Sequence, residues 1–218
     1  MMAETKATRE AAATADGAAP KRARDRVFAV ADDLFYRQGI RAVGVDAIAK
    51  EAGVAKISLY RAFPSKDDLV VAYLEDRNAD YWRRWDRAFA KHEGDPRAQL
   101  RTMMEYLADR TTAPGYRGCP FTNDATEFPE PSHPGRRVAE ANKRELRQRL
   151  LRLAEALGAP DPKTLADGLV LLVEGAYAIS QTLPGRDGPG RAIVWAAEAL
   201  VEARLGRGQA APVAGNSL

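Results

Sequence analysis

The pattern that decides the fold is the stretch Val45-Asp-Ala-Ile-Ala-Lys-Glu-Ala-Gly-Val-Ala-Lys-Ile-Ser-Leu-Tyr-Arg-Ala-Phe-Pro-Ser-Lys-Asp-Asp-Leu69. Its apolar residues recur at intervals of three and four, which predicts two short helices, over roughly 45–52 and 56–63. Gly53 supplies the tight turn between them, and Pro64 stops the second helix because a residue before proline disfavours helical geometry. Two short helices joined by a glycine-containing turn are typical of a helix-turn-helix.

The rest of the chain extends this helical pattern in both directions. Apolar spacing predicts a first helix over roughly 22–38, and Ser65 is a good N-cap for a fourth helix from Lys66 to about Lys91. Later helices are expected at 97–111, 136–157, 162–182 and 190–205. The stretch 112–135 contains five prolines and is expected to be the least regular. No strand-like alternation of useful length occurs, so the predicted fold class is all-α.

Composition indicates a folded protein with room for one or two domains. The chain has 218 residues, of which 45% are hydrophobic and 29% charged, and its formal net charge is +3. No apolar run reaches the length of about 18 residues that a membrane span needs, and the N-terminus lacks the apolar core of a secretory signal. We therefore expect a cytoplasmic protein without a membrane partner.

Residues for metal or covalent chemistry are few. The single cysteine, Cys119, cannot form an internal disulfide, and His92 and His133 are too few to build a zinc site with it. Neither a glycine-rich nucleotide loop nor a supported pair of carboxylates is present. A nucleophile and base made from Cys119 and His133 would lack a third, orienting group. The sequence thus predicts no enzyme, no metal and no cofactor.

The outer face of the second short helix carries the side chains that suggest a function. Lys56, Ser58, Tyr60 and Arg61 are short, planar or cationic groups that can reach base edges or phosphates of DNA. An ordinary helical hairpin with a charged surface is the alternative. The basic run from Lys21 to Arg26 is likewise open to two interpretations, a solvated helix start or an arm that rests on phosphate.

The stretch 45–69 resembles the DNA-binding signature of the Tet repressor (TetR) family of bacterial transcription regulators. The order Ile-Ala, Ala-Gly-Val, Leu-Tyr, Phe and Lys-Asp-Leu matches at consistent spacing, and the resemblance covers about a quarter of the chain. It implies a helix-turn-helix DNA-binding domain over 21–66 and an effector-binding and dimerisation domain over 67–205. Residues 1–20 and 206–218 are expected to be disordered tails.

The resemblance also implies which residues touch operator DNA. The predicted DNA-binding residues are Gly44, Val45, Lys56, Ser58, Tyr60, Arg61 and Lys66. Tyr60 and Lys66 are similar to the family's phosphate-contacting residues, and the start of the fourth helix would assist Lys66. The chain departs from the family at Gly44, where a hydroxyl residue is usual, and at Ile57, where glycine is frequent. Losing the hydroxyl is expected to weaken one phosphate contact, and Ile57 points either to DNA or to the core.

By resemblance the protein is a homodimer, since two readers related by a two-fold axis supply the specificity that one lacks. The predicted interface residues are Leu165, Leu169, Leu172, Val173, Ala176, Ile193, Ala197 and Leu200. Burial inside one chain is the alternative for each of them. Similar proteins bind a small-molecule effector among the central helices. The candidate pocket residues are Tyr81, Trp82, Trp85, Met103, Met104, Tyr106, Leu107, Cys119, Phe121, Phe128 and Tyr177, although each could be plain core.

The sequence thus predicts a repressor that a small molecule releases from a pseudo-palindromic operator. The competing hypothesis is a dimeric module that binds a small molecule or senses oxidants through its thiol, with weak or vestigial DNA binding. The thiol hypothesis rests on Cys119, which follows Arg117 in a segment similar to the Gly-Cys segment of one branch of the family. A small buried hydrophobic residue is the alternative interpretation of Cys119.

Overall fold

The computed structural model describes residues 22–206, and the regular elements of this part of the chain are all helices. They are α1 (22–38), α2 (Val45–Glu51), α3 (Lys56–Ala62), α4 (Lys66–Ala90), α5 (Pro96–Thr111), α6 (Pro120–Glu127), α7 (Pro134–Ala156), α8 (Pro162–Thr182) and α9 (Ile193–Leu205). A short 3-10 helix, Pro189–Ala192, leads into α9. The all-α prediction is confirmed. Lys21 and the predicted tails, apart from Gly206, lie outside the described residues.

The described chain divides into two compact units. Unit 1 comprises the described residues up to Arg77 together with Pro120–Ala139, and unit 2 comprises Asn78–Cys119 and the described residues from Glu140 onward. Helices α1, α2, α3 and α6 therefore belong to unit 1, whereas α5, α8 and α9 belong to unit 2. These units follow compactness, so the functional boundary at residue 66 stays a prediction.

Unit 1 has a core formed by the inward faces of its short helices. The buried residues that the apolar spacing predicted in α1 and at α3 are Val27, Ala31, Leu34, Phe35, Leu59 and Phe63. The ring of Phe35 meets Tyr73 of α4 edge-on at 5.6 Å. Arg77 of α4 donates two hydrogen bonds to Asp32 of α1, at 2.7 and 2.8 Å. Apolar burial and this two-pronged ion pair thus fix α1 against α4.

The proline-rich stretch 112–135 is more regular than its composition suggested. It contains α6, whose first residue is Pro120, and Pro134 is the first residue of α7. Proline is tolerated at the first helical position because the N–H there has no partner inside the helix anyway. These two prolines begin helices rather than break them, and the irregular parts of the stretch are 112–119 and 128–133.

Unit 2 has a core in which α5, α8 and α9 pack against one another. Six predicted dimer-interface residues are buried in it: Leu165, Leu169, Val173, Ala176, Ile193 and Ala197. A residue that a single chain already buries has almost no surface left for a second copy, which favours the alternative, burial inside one chain, for these six. Leu172 and Leu200 are half-buried. The large apolar residues that face outward on the same helices are Leu171, 73% exposed, and Trp195, 71% exposed.

None of the helices between residues 22 and 206 combines the length and the apolar character that crossing a bilayer demands. Within the same part of the chain, no three His, Cys, Asp or Glu side chains converge in a way that could hold a metal ion.

Candidate nucleic-acid interface and effector cavity

A complete glycine-terminated helix end joins α2 to α3. The N–H of Gly53 donates to the carbonyl of Lys50 at 3.2 Å, and the N–H of Val54 donates to that of Ala49 at 3.0 Å. This pair of bonds requires a left-handed residue after the helix, and Gly53 adopts it with φ of 62°. The turn therefore ends α2 and redirects the chain at once into α3, as the sequence predicted.

Helix α3 presents its charged and aromatic side chains on the side opposite its buried face. Leu59 is fully buried, whereas Lys56, Tyr60 and Arg61 are exposed. Ile57 is also exposed, at 70%, which decides that its side chain points to solvent rather than to the core. The half-buried Ser58, in contrast, lies at the edge of this face. We call Lys56, Ile57, Tyr60 and Arg61 the reading face.

Lys56 is held at the start of α3 by an acidic residue of α2. Its Nζ lies 2.7 Å from Oδ1 of Asp46, and both side chains are largely exposed. The hydrogen bond to Asp46 and its charge raise the pKa of Lys56, which stays cationic. An ammonium has three donors, so two remain for another acceptor.

Two other predicted DNA-binding residues lie at the start of α2. Gly44 is the N-cap residue of α2 and makes no side-chain hydrogen bond, and Val45, the next residue, is half-buried.

Lys66 attaches α4 to the segment 39–44 between α1 and α2, which we call the α1–α2 corner. Its Nζ donates a 2.6 Å hydrogen bond to the carbonyl oxygen of Ile40 and lies 6.0 Å from the ring centre of Phe35. Burial lowers the pKa of Lys66, against the opposing charges of Glu127 and Asp67. The carbonyl oxygen of Ile40 uses one of the three ammonium donors, so the predicted contact with phosphate has to use the other two.

The α1–α2 corner is also held from α6. The backbone N–H of Arg41 donates to Oε2 of Glu127 at 2.6 Å. Gly39, with φ of 92°, passes so close that a Cβ there would lie 3.2 Å from Oε1 of Glu127. The Arg41 guanidinium lies 5.3 Å over the ring of Phe128, which stacks on His133 at 3.9 Å. Phe128 is thus part of the support of the helix-turn-helix in unit 1.

The same helix, α6, also carries a buried carboxylate. Asp124 of α6 is fully buried, and neither of its oxygens has a hydrogen-bond partner among the described residues. Burial raises its pKa to about 6, although the charges of His133 and Arg136 act in the opposite direction. The backbone of α7 passes close by, because a Cβ at Gly135 would lie 2.6 Å from Oδ1 of Asp124. Sequence patterns gave no signal for this site.

Unit 2 contains a small cavity of about 30 Å³, half of whose lining residues are aromatic. Its lining residues are Tyr81, Arg84, Trp85, Ala88, Phe89, Met103, Tyr106, Leu107, Val173 and Tyr177. Six of these were among the predicted pocket residues. Phe89 was missed, although it follows Trp85 by four residues on α4 and stacks on it at 4.7 Å. Val173, which was predicted at the dimer interface, lines this cavity.

Five predicted pocket residues do not line this cavity. Trp82 lies beneath the Arg149 guanidinium at 4.4 Å, and Met104 is fully buried core. Phe121 and Phe128 belong to unit 1. Cys119 is buried, with its sulfur 3.2 Å from Nζ of Lys143. Helical spacing identifies an apolar face without identifying what it faces, so the assignment of these five residues to an effector pocket stays a prediction.

Polar groups behind the cavity form a buried cluster. The hydroxyls of Tyr81 and Tyr177 share a hydrogen bond, and burial raises the pKa of both phenols. Nζ of Lys143 lies 2.6 Å from Glu174 and 5.4 Å over the Tyr177 ring. Burial lowers the pKa of Lys143, but Cys119 and Glu174 more than offset this, so the ammonium keeps its charge. The cavity therefore offers an apolar, aromatic wall, and the two buried hydroxyls behind it bond each other.

Comparison with known proteins agrees with this architecture. A family model described as bacterial regulatory proteins of the tetR family matches residues 27–73. The transcriptional activator FasR of Mycolicibacterium smegmatis is 34% identical over 109 residues, a match that spans only 49% of each protein. The transcriptional regulator AcuR of Cereibacter sphaeroides is 32% identical over 148 residues, covering 64% of this chain and 67% of AcuR.

The likeness extends to solved structures over nearly their whole length. SCO4454, a TetR-family transcriptional regulator from Streptomyces coelicolor, matches with a TM-score of 0.76 and 30% identity, over 86% of this chain and 96% of SCO4454. The match therefore includes the helices that follow the helix-turn-helix, as well as the DNA-binding signature. The chain belongs to the TetR family of bacterial transcriptional regulators.

Proposed function

We propose that this protein binds a two-fold-symmetric DNA operator as a homodimer and represses transcription until a small aromatic molecule enters the unit 2 cavity. The observation that carries the proposal is the reading face of α3, four neighbouring exposed side chains on a short helix that Gly53 redirects across α2. Two of them are cations, and Tyr60 adds a hydroxyl, the groups that contact phosphates and base edges. A regulator that binds the chromosome works in the cytoplasm. It regulates transcription by binding DNA, without catalysing a reaction.

Dimerisation is proposed through the outward face of α8 and α9. Leu171 and Trp195 are each exposed by more than two thirds, although a large apolar side chain gains about 1.5–3 kcal/mol from full burial. Regulators of this family act as dimers, which supports a second copy as the partner of this face. Two copies related by a two-fold axis would place two reading faces on one duplex.

The proposed effector is a small, mainly apolar aromatic molecule. The rings of Trp85 and Phe89 offer stacking surfaces, and Met103 is an adaptable apolar neighbour. The cavity of about 30 Å³ has to widen around these side chains to admit such a molecule. Such a ligand would release DNA only if it binds more tightly to the dimer shape that fits the operator poorly.

The test is selection of bound sequences from a random duplex library at about 0.15 M salt, where phosphate attraction without sequence preference is weakened. We expect enrichment of a site with two-fold symmetry. The variant Arg61→Ala is tested beside it. This substitution leaves the buried face of α3 intact and should reduce the enrichment of the symmetric site. A folded dimer that enriches no sequence would overturn the proposal and favour the module with vestigial DNA binding.

A further inference from the structure

An aliphatic side chain stands in the middle of the reading face. Successive helical residues are rotated by about 100°, so the four residues from Lys56 to Arg61 on this face span about 140°. Lys56 and Arg61 form its two edges, and Ile57 and Tyr60 lie between them. Ile57 is 70% exposed, more than the 40% of Tyr60. The most prominent group at the centre of this cationic face is therefore a hydrocarbon.

The position of Ile57 along α3 matters as much as its exposure. It is the second residue of the helix, and the first residues of a recognition helix are the ones that contact base edges in the major groove. A docked duplex would therefore cover Ile57 and exclude water from it. Cations flank the position on both sides, so the surface that fits over it is an anionic one.

Only one base edge suits a hydrocarbon in that groove. Thymine presents a 5-methyl group there, whereas the other bases present hydrogen-bond donors and acceptors. Isoleucine packed against those polar atoms would take them from water without replacing their hydrogen bonds, which costs free energy. The same side chain thus favours thymine by contact and disfavours the alternatives by desolvation.

We propose that Ile57 reads the methyl group of a thymine in each operator half-site and is a specificity-determining residue of this regulator. This inference rests on the proposed function, because it requires operator binding through α3. Its partner is a single methyl group on each half-site, so its effect on affinity is small and localised. Tyr60, beside it, would contact the duplex whichever base is present.

The experiment uses the selected operator with each symmetric pair of thymines replaced in turn by deoxyuridine, which removes only the methyl groups. For the unmodified protein we expect one pair to weaken binding by about fourfold per half-site, the value of one buried methylene-sized group. Ile57→Ala should bind the thymine and deoxyuridine operators at that pair equally. Tyr60→Ala is the matched control, which should weaken binding to both operators and preserve the difference of about fourfold per half-site.

Three results would overturn the inference. A protein that binds its operator but shows no sensitive thymine pair contradicts the contact, while the proposed function stands. A sensitive pair that persists unchanged in Ile57→Ala assigns the methyl contact to another residue. Failure to bind any duplex overturns the proposed function as well. Ile57 is exposed and alanine favours helices, so loss of folding is not expected, and a circular dichroism melt of the variant checks this.

Discussion

Replacing Asp124 by asparagine removes a buried charge and keeps the shape of the side chain. Asp124 is fully buried, without a hydrogen-bond partner for either oxygen among the described residues, and burial raises its pKa from 3.8 to about 6. Water stabilises the ionised carboxylate better than this site does. We therefore expect Asp124→Asn to become progressively more stable than the unmodified protein as the pH rises.

The sign and size follow from proton linkage. Because the folded state holds this proton more tightly than the unfolded state, the stability that Asp124 contributes is fully present below pH 3.8 and is lost as the pH rises through about 6. A shift of about 2 pKa units corresponds to about 3 kcal/mol over the whole window. Between about pH 5 and about pH 8, about 1.4 kcal/mol of that amount remains to be lost.

Urea unfolding of both proteins at those two pH values measures the effect. The free energy of unfolding of Asp124→Asn, relative to the unmodified protein, should increase by about 1.4 kcal/mol from the lower to the higher pH. Glu130→Gln, which removes an exposed carboxylate of the same unit, should show almost no change. An equal difference at both pH values would refute the reasoning, since it would mean that Asp124 is ionised throughout at no cost.

Three further outcomes are expected. Lys66→Ala should weaken binding about equally across operator sequences and reduce the slope of log affinity against log salt by about one, in titrations at several salt concentrations; relaxed sequence choice would contradict the phosphate assignment. Leu171→Glu should shift the protein toward monomer in sedimentation equilibrium, whereas Leu183→Glu, 55% exposed beyond the end of α8, should not. Cys119, 5% exposed, should be alkylated by iodoacetamide far more slowly in the folded protein than in urea; equal rates would support the thiol-sensing alternative.

The helix boundaries of the DNA-binding part were predictable because each is encoded within a few residues. Gly53 ends α2 through its left-handed conformation, and Phe63 before Pro64 is extended, with ψ of 105°. Ser65 accepts the N–H of Asp68 at 3.0 Å, so it caps α4 as its residue type indicated. Local chemistry of this kind needs no knowledge of the rest of the fold.

The surfaces of α8 and α9 could not be predicted in the same way. Helical spacing shows that α8 has a broad apolar face, but Leu169 is buried and Leu171, about 200° around the helix, is exposed. Which part of such a face packs within the chain depends on helices distant in sequence, here α5 and α9. The same limit applies to Lys143 and Glu174, which meet Cys119 only because three separate segments fold together.

Under the proposed function, an effector has to alter the attachments of the α1–α2 corner. Ile40 is held by Lys66 and Arg41 by Glu127, so the position of the reading face depends on α4 and α6 as well as on its own turn. Helix α4 supplies Lys66 to unit 1 and Trp85 to the cavity of unit 2. If the proposed effector packs against Trp85, it changes operator affinity only by the difference between its affinities for the DNA-binding shape and for the other shape. Tight binding in the cavity is therefore insufficient evidence of induction, and operator affinity has to be measured with and without the ligand.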